Sequence, residues 1–231
     1  MTEASQGSKS PYYPVFLDVR GRGCVVVGGG SVAARKVRGL VEAGASVTVV
    51  SPEVCADLDA LADAGAAVEV RRRPFEATDL DGAVLAIAAT DDPAVNEAVS
   101  RAAQARGIPV NVVDRPVLST FIVPATVGRG RLQVAVSTAG ASPAFARRLR
   151  ERIEGGLDSR LAEYLEQMAE ARALVLDRVP EPEERRRILE ALASEEFVAQ
   201  YLEAEPSEAD EMFYAQVRDL IARAERASEA L

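Results

Sequence analysis

A chain of 231 residues, 48% hydrophobic and 27% charged, has the make-up of a soluble globular protein able to bury one large core or two smaller ones. Histidine is absent, which excludes His-ligated zinc, Ser-His-Asp triads and imidazole acid–base chemistry; proton transfer is left to carboxylates, hydroxyls, lysine or a cofactor. Residues 1–150 carry 17 Lys and Arg against 15 Asp and Glu, whereas residues 151–231 carry 10 against 21, so no nucleic-acid face is expected, while the front half can still receive an anionic small molecule.

Residues 1–12 are polar, lack the apolar segment of a signal peptide and read as a disordered tail. No apolar run reaches the roughly 18 to 20 residues needed to cross a bilayer, so a cytoplasmic protein without membrane contact is expected. Cys24 and Cys55 form no CxxC pair and read as packing residues.

From residue 13 short apolar runs alternate with helical stretches. Cys24 to Val27 is a continuous apolar strand of the kind found at the centre of a parallel sheet. A helix follows from Ser31 to Ala43, closed by Gly44, then a strand over Ser46–Val50 and a helix over Glu53–Ala64. Strands at Ala67–Arg71 and Ala83–Ala89 come next, then a helix over Pro93–Arg106 with proline in its first turn, and a fifth strand over Pro109–Val113. This β-α-β-α-β order predicts a doubly wound, Rossmann-type parallel sheet over residues 13–113.

The rhythm then changes. Thr120–Thr126 and Arg131–Ser137 predict a hairpin around Gly128-Arg129-Gly130, and Ser142-Pro143 starts a helix that runs to Ile153 and is broken by Gly155-Gly156. Beyond Leu157 apolar residues recur at helical spacing. The expected organisation is α/β: a Rossmann domain, a small α+β segment over 114–153, and a helical domain over 154–231.

Gly28-Gly29-Gly30-Ser31-Val32-Ala33 fits G-x-G-x-x-A, follows an apolar strand directly and opens a helix, the context that gives this motif weight. Gly28 permits the turn, Gly30 lets backbone approach a pyrophosphate, and Ala33 lets helix and strand pack closely. A dinucleotide is the expected ligand. The acidic residue that usually ends the second strand is missing, for the chain there reads Ser51-Pro52-Glu53, leaving Ser51 or Glu53 to meet the ribose. Arg71, Arg72 and Arg73 follow the third strand and read as a solvated edge, so NAD is preferred to NADP. Thr90-Asp91-Asp92 ends the fourth strand where ligands bind in this fold; Thr90 is positioned for the ribose, and Asp91 or Asp92 caps the helix beginning at Pro93.

Several ordered stretches carry a family resemblance: Tyr13-Pro14-Val15-Phe16-Leu17, the glycine turn continuing to Arg35-Lys36, Ala86 to Asp92, Asn111-Val112-Val113-Asp114-Arg115-Pro116, Phe121 to Pro124, and Val134 to Pro143. In this order they make residues 13–153 resemble the precorrin-2 dehydrogenase and sirohydrochlorin ferrochelatase family, which includes the N-terminal module of siroheme synthase and its free-standing relatives. The resemblance implies NAD-dependent oxidation of precorrin-2, a reduced tetrapyrrole with eight carboxylate arms, with Fe2+ insertion as a further activity of some members. It places the family's essential aspartate on Asp114, as proton acceptor and transient metal ligand, where local pattern alone reads a turn-capping carboxylate. It implies a homodimer paired through the segment after the sheet. Arg115, with Arg147 and Arg148, offers cations for the substrate carboxylates. Thr138 stands where some members carry a serine associated with metal binding. The methyltransferase domain of the fused enzymes has no room here, so methylation is expected of another protein. A second class remains open: an NAD(H)-sensing regulatory module without turnover.

Overall fold

The structure, a computed structural model, describes the chain from residue 12 to residue 229 and side chains as far as Arg226. The expected tail over 1–12 therefore lies outside the described residues but for Tyr12. The chain divides into two compact units, the first ending at Val123 and the second beginning at Pro124.

The first unit is a five-stranded parallel sheet. Strands β1 (Gly23–Val27), β2 (Ser46–Val50), β3 (Val68–Arg71), β4 (Leu85–Ala88) and β5 (Val110–Val112) lie in the order β3-β2-β1-β4-β5. The order reverses between β1 and β4, and this switch point is where ligands bind in doubly wound sheets. Helices α1 (Ser31–Glu42), α2 (Ala56–Asp63) and α3 (Pro93–Ala105) make the crossovers. Because both faces are covered, the central strands are apolar at successive positions instead of alternating: all of β4 is buried, as is β1 after Gly23. Ala33, Ala34 and Val37 of α1 pack with Val26, Val47 and Val49 on one face; Val99 and Ala103 of α3 pack with Val25, Ala86 and Val110 on the other.

Two boundaries differ from the sequence pattern for identifiable reasons. Helix α2 starts at Ala56 and not at Glu53, because Ser51–Val54 folds back over the glycine turn and the Cys55 amide donates to the Gly29 carbonyl at 2.8 Å. The segment expected as a strand from Thr120 instead covers the outer edge of β5 with side-chain hydroxyls. Thr120 Oγ1 accepts from the Val110 amide at 2.8 Å and Ser119 Oγ from the Val112 amide at 2.9 Å. The free edge is thereby closed without a sixth strand.

In the second unit, β6 (Ala125–Arg129) and β7 (Leu132–Val136) form an antiparallel ribbon turned at Gly130-Arg131, two residues later than the sequence places it. Helix α4 (Pro143–Gly156) lies against the ribbon, with Ser142 capping it by accepting from the Phe145 amide at 3.2 Å. Gly155 and Gly156 stay inside its last turn instead of breaking it, and the helix stops at Leu157. Helices α5 (Leu161–Arg178), α6 (Pro182–Leu192), α7 (Glu195–Glu203) and α8 (Pro206–Glu229) enclose a separate core in which Phe213 meets Tyr164, Phe197 and Tyr201 with ring centroids about 6 Å apart. None of the described helices is long and apolar enough to cross a membrane.

Candidate active site

The three glycines between β1 and α1 serve different ends. Gly28 has φ 128°, and a Cβ there would overlap the carbonyl of Ala89. A Cβ at Gly29 would overlap the carbonyl of Glu53. Both positions are closed by the protein's own packing. Gly30 is unlike them: it is the N-cap of α1, and a Cβ there would meet nothing within 4 Å. Its backbone faces open space at the helix N-terminus, where unpaired N–H groups and the helix dipole attract an anion. No acidic side chain stands in the first turn of α1 and no side chain caps it, so the chain supplies no anion of its own. Ala33, fully buried one turn on, lets α1 approach the sheet. Ser31 is exposed and Val32 half-buried at the same opening. A pyrophosphate fits this cradle.

Ser51, Pro52 and Glu53 lie against that turn. The Gly28 amide donates to the Val50 carbonyl at 3.0 Å, and the half-buried Ser51 hydroxyl borders Gly29, while Pro52 and Glu53 are exposed. The three arginines after β3 are held elsewhere. Arg71 and Arg73 converge on Asp79, and Arg72 pairs with Asp59. Burial pushes the Asp79 carboxyl up, but hydrogen bonds from Arg73, the Glu76 amide and Arg71 outweigh it and hold the pKa at about 2. Engaged in this way, the arginines build a structural ion cluster, more than the solvated edge read from sequence.

Thr90 leaves β4 at the same edge. Its hydroxyl donates to Oδ1 of Asn96 at 3.0 Å, and Nδ2 of Asn96 returns a bond to the Thr90 carbonyl at 2.9 Å. Asp92, and not Asp91, caps α3 by accepting from the Ala94 amide at 2.8 Å; Asp91 stays exposed. Asn96 escaped the sequence reading. The available signal was a polar residue at the head of the buried stripe Asn96, Val99, Ser100, Ala103.

The parallel register aligns Val27 with Ala88 and Ala88 with Val112, so the glycine turn, Thr90 and Asp114 leave the sheet side by side. Asp114 is exposed in a turn with φ 57°, a left-handed conformation that Asp tolerates better than most residues. Arg115 is half-exposed and reaches toward Glu97 of α3 at 3.9 Å. Lys36 is half-buried on α1; burial lowers its pKa, Arg35 lowers it further, and Asp114 opposes both. Thr138 belongs to the second unit, where its hydroxyl accepts from the Ser142 amide at 3.0 Å in the turn before α4; Arg147 and Arg148 are exposed on that helix. Among the described residues no group of three or more Cys, Asp and Glu is placed to hold a metal ion.

Known proteins are similar to this chain. Residues 15–125 match the family model described as "Putative NAD(P)-binding", and residues 129–155 match "Sirohaem biosynthesis protein central". A siroheme synthase of Methylococcus capsulatus is 50% identical over 188 residues, which is 80% of this chain and 40% of that protein. One from Methylobacillus flagellatus is 52% identical over 173 residues, 75% of this chain and 37% of its own length. The chain thus spans about two fifths of these curated relatives. The solved structure of SirC, a precorrin-2 dehydrogenase, superposes with a TM-score of 0.72 at 29% identity, covering 90% of this chain and 100% of that one. Fold, glycine turn and these likenesses agree: the chain joins an NAD(P)-binding domain to a sirohaem-biosynthesis segment, and it is similar to the precorrin-2 dehydrogenase SirC and, over about two fifths of their length, to siroheme synthases.

Proposed function

We propose that the chain catalyses the NAD-dependent oxidation of precorrin-2 to sirohydrochlorin, as a homodimer in the cytoplasm. The observation that carries the reading is the juxtaposition, on one sheet edge, of an open anion cradle at Gly30 with the carboxylate of Asp114. When bound, NAD+ supplies the hydride acceptor. The residues of the chain do the rest. The amides from Gly30 to Val32 hold the pyrophosphate at the start of α1, and Ser51 and Glu53 face the adenosine ribose. Thr90, locked by Asn96, lines the path from the cradle to Asp114. The Asp114 carboxylate accepts the proton that leaves the substrate as its hydride departs. The engagement of Arg71, Arg72 and Arg73 with carboxylates favours NAD over NADP, since none is left to meet a 2′-phosphate.

The dimer is supported by the second unit. One face of the β6–β7 ribbon is covered, but Thr126, Gly128, Gln133 and Ala135 on the other are exposed, and Phe145 is 59% exposed on the neighbouring helix. A two-stranded ribbon is marginal alone and gains from burial against a twofold mate. Two free cysteines suit a reducing compartment.

The test is an anaerobic spectrum of the purified protein with enzymatically generated precorrin-2, with and without NAD+. The expected result is NAD-dependent appearance of sirohydrochlorin with NADH rising in step. Addition of Fe2+ then asks whether the same site inserts iron, with Asp114 as the transient ligand. Tight NADH binding with no turnover would replace this reading with a nucleotide-sensing module.

A further inference from the structure

Among the described residues, most cations of the first unit face a carboxylate within 4 Å, Arg71, Arg73 and Arg115 among them. Lys36 does not. It is one of two lysines in the chain, the other being Lys9, while arginine supplies every remaining basic residue. The helix turns Ala33, Ala34 and Val37 to the sheet, and Lys36 lies half-buried at the margin of that stripe. That stripe packs in one cluster with Val113 and Phe121, which bracket Asp114 in the chain. The Cα–Cβ bond of a helical residue tilts toward the helix N-terminus. Lys36 is therefore carried back toward the edge where the glycine turn, Thr90 and Asp114 leave the sheet.

Two further charged groups bear on this position. Arg35, exposed, precedes it on α1, and Asp114 acts on it from the turn after β5. Ser31, at the pyrophosphate cradle, lies five residues earlier, about 8 Å along the helix axis. A desolvated ammonium with no ion-pair partner is a site in want of an anion, and the cradle's own anion is held by backbone amides further up the helix.

We propose that Lys36 binds one carboxylate arm of the substrate beside Asp114, and that it contributes to the specificity of the site for a polycarboxylate. This rests on the precorrin-2 reading above. Lys36 works in binding and not in the chemical step, so its contribution is read in KM.

The experiment measures precorrin-2 oxidation and NADH affinity in the full chain carrying Lys36→Met or Lys36→Arg. Methionine keeps the stem and removes the charge; arginine keeps the charge. The expected result is a KM for precorrin-2 raised about tenfold in Lys36→Met, the loss of one charge-assisted contact. kcat and NADH affinity stay within about twofold of wild type, and Lys36→Arg recovers most of the KM. The wild-type KM also rises with salt more steeply than that of Lys36→Met, a comparison that Lys36→Gln supplies if the methionine variant does not fold. An unchanged KM in an active Lys36→Met protein overturns the inference and leaves the dehydrogenase intact. A parallel loss of NADH affinity overturns it by moving Lys36 to the cofactor. A wild type that never oxidises precorrin-2 removes the reading on which it rests.

Discussion

At Asp114 the backbone enters the left-handed region at φ 57°, which asparagine and aspartate adopt at lower cost than alanine. Two substitutions therefore separate chemistry from strain. Asp114→Asn is expected to abolish turnover while leaving thermal stability and NADH affinity near wild type; Asp114→Ala should lose turnover and about 1 kcal/mol of stability as well. Steady-state NADH formation and a thermal melt check both. The glycine turn offers a second contrast. Gly30 borders open space, so Gly30→Asp should fold normally and lose NADH binding, whereas Gly29→Ala must push Glu53 aside and should lose stability too. A fluorescence titration with NADH beside a melt distinguishes them; retained binding in Gly30→Asp would remove the cradle from the cofactor site. The glycine turn was legible because its residues follow one another along the chain. Lys36 was not, because on a helix wheel it looks like any solvated basic residue. Asp114 was legible only through its resemblance to relatives, since a lone carboxylate before Arg-Pro also reads as a turn cap.

At the scale of elements, β3 and the short 3-10 turn at Ala77–Leu80 are tied by Asp79, whose side chain is fully covered and accepts from Arg71 and Arg73. Its pKa in the folded chain is about 2, below the roughly 4 of an unfolded aspartate. The stabilisation is therefore complete above about pH 4 and is lost as pH falls toward 2. Asp79→Asn should cost about 2 kcal/mol at pH 7, and its gap from wild type in urea unfolding should narrow steadily below pH 4. A gap independent of pH would mean that packing, not charge, sets the cost. Asp92→Ala should cost about 1 kcal/mol through the lost cap on α3. The parallel strands were readable because strands buried on both faces are uniformly apolar. The ribbon was displaced in the reading because Thr120 looks like a strand former, yet its hydroxyl and that of Ser119 are spent on β5.

For the whole molecule, two cores of different character account for the uneven composition. The front unit is built from small aliphatic residues around the sheet, and the helices α5–α8 close on a cluster of aromatic rings. The acidic excess beyond residue 150 is carried by exposed helix faces, where Glu183, Glu184 and Glu190 pair with Arg186 and Arg187. If the ribbon and α4 meet a twofold mate, Phe145→Glu should raise the dimer dissociation constant at least tenfold, by analogy with apolar anchors at interfaces. Sedimentation velocity across a concentration series checks this, and an unchanged monomer–dimer balance would place the interface elsewhere. By itself the sequence determined the doubly wound sheet, the glycine turn, the helical end of the chain and, through ordered motifs, the family resemblance, because each is written in neighbouring residues or in a repeating period. Tertiary structure alone decided which glycine stays open, that Asn96 locks Thr90, that Arg71 and Arg73 turn to Asp79, and that Lys36 and Asp114 share an edge. These pairings join residues from 6 to 78 positions apart, and only the register of parallel strands and the packing of helices on them bring such residues together.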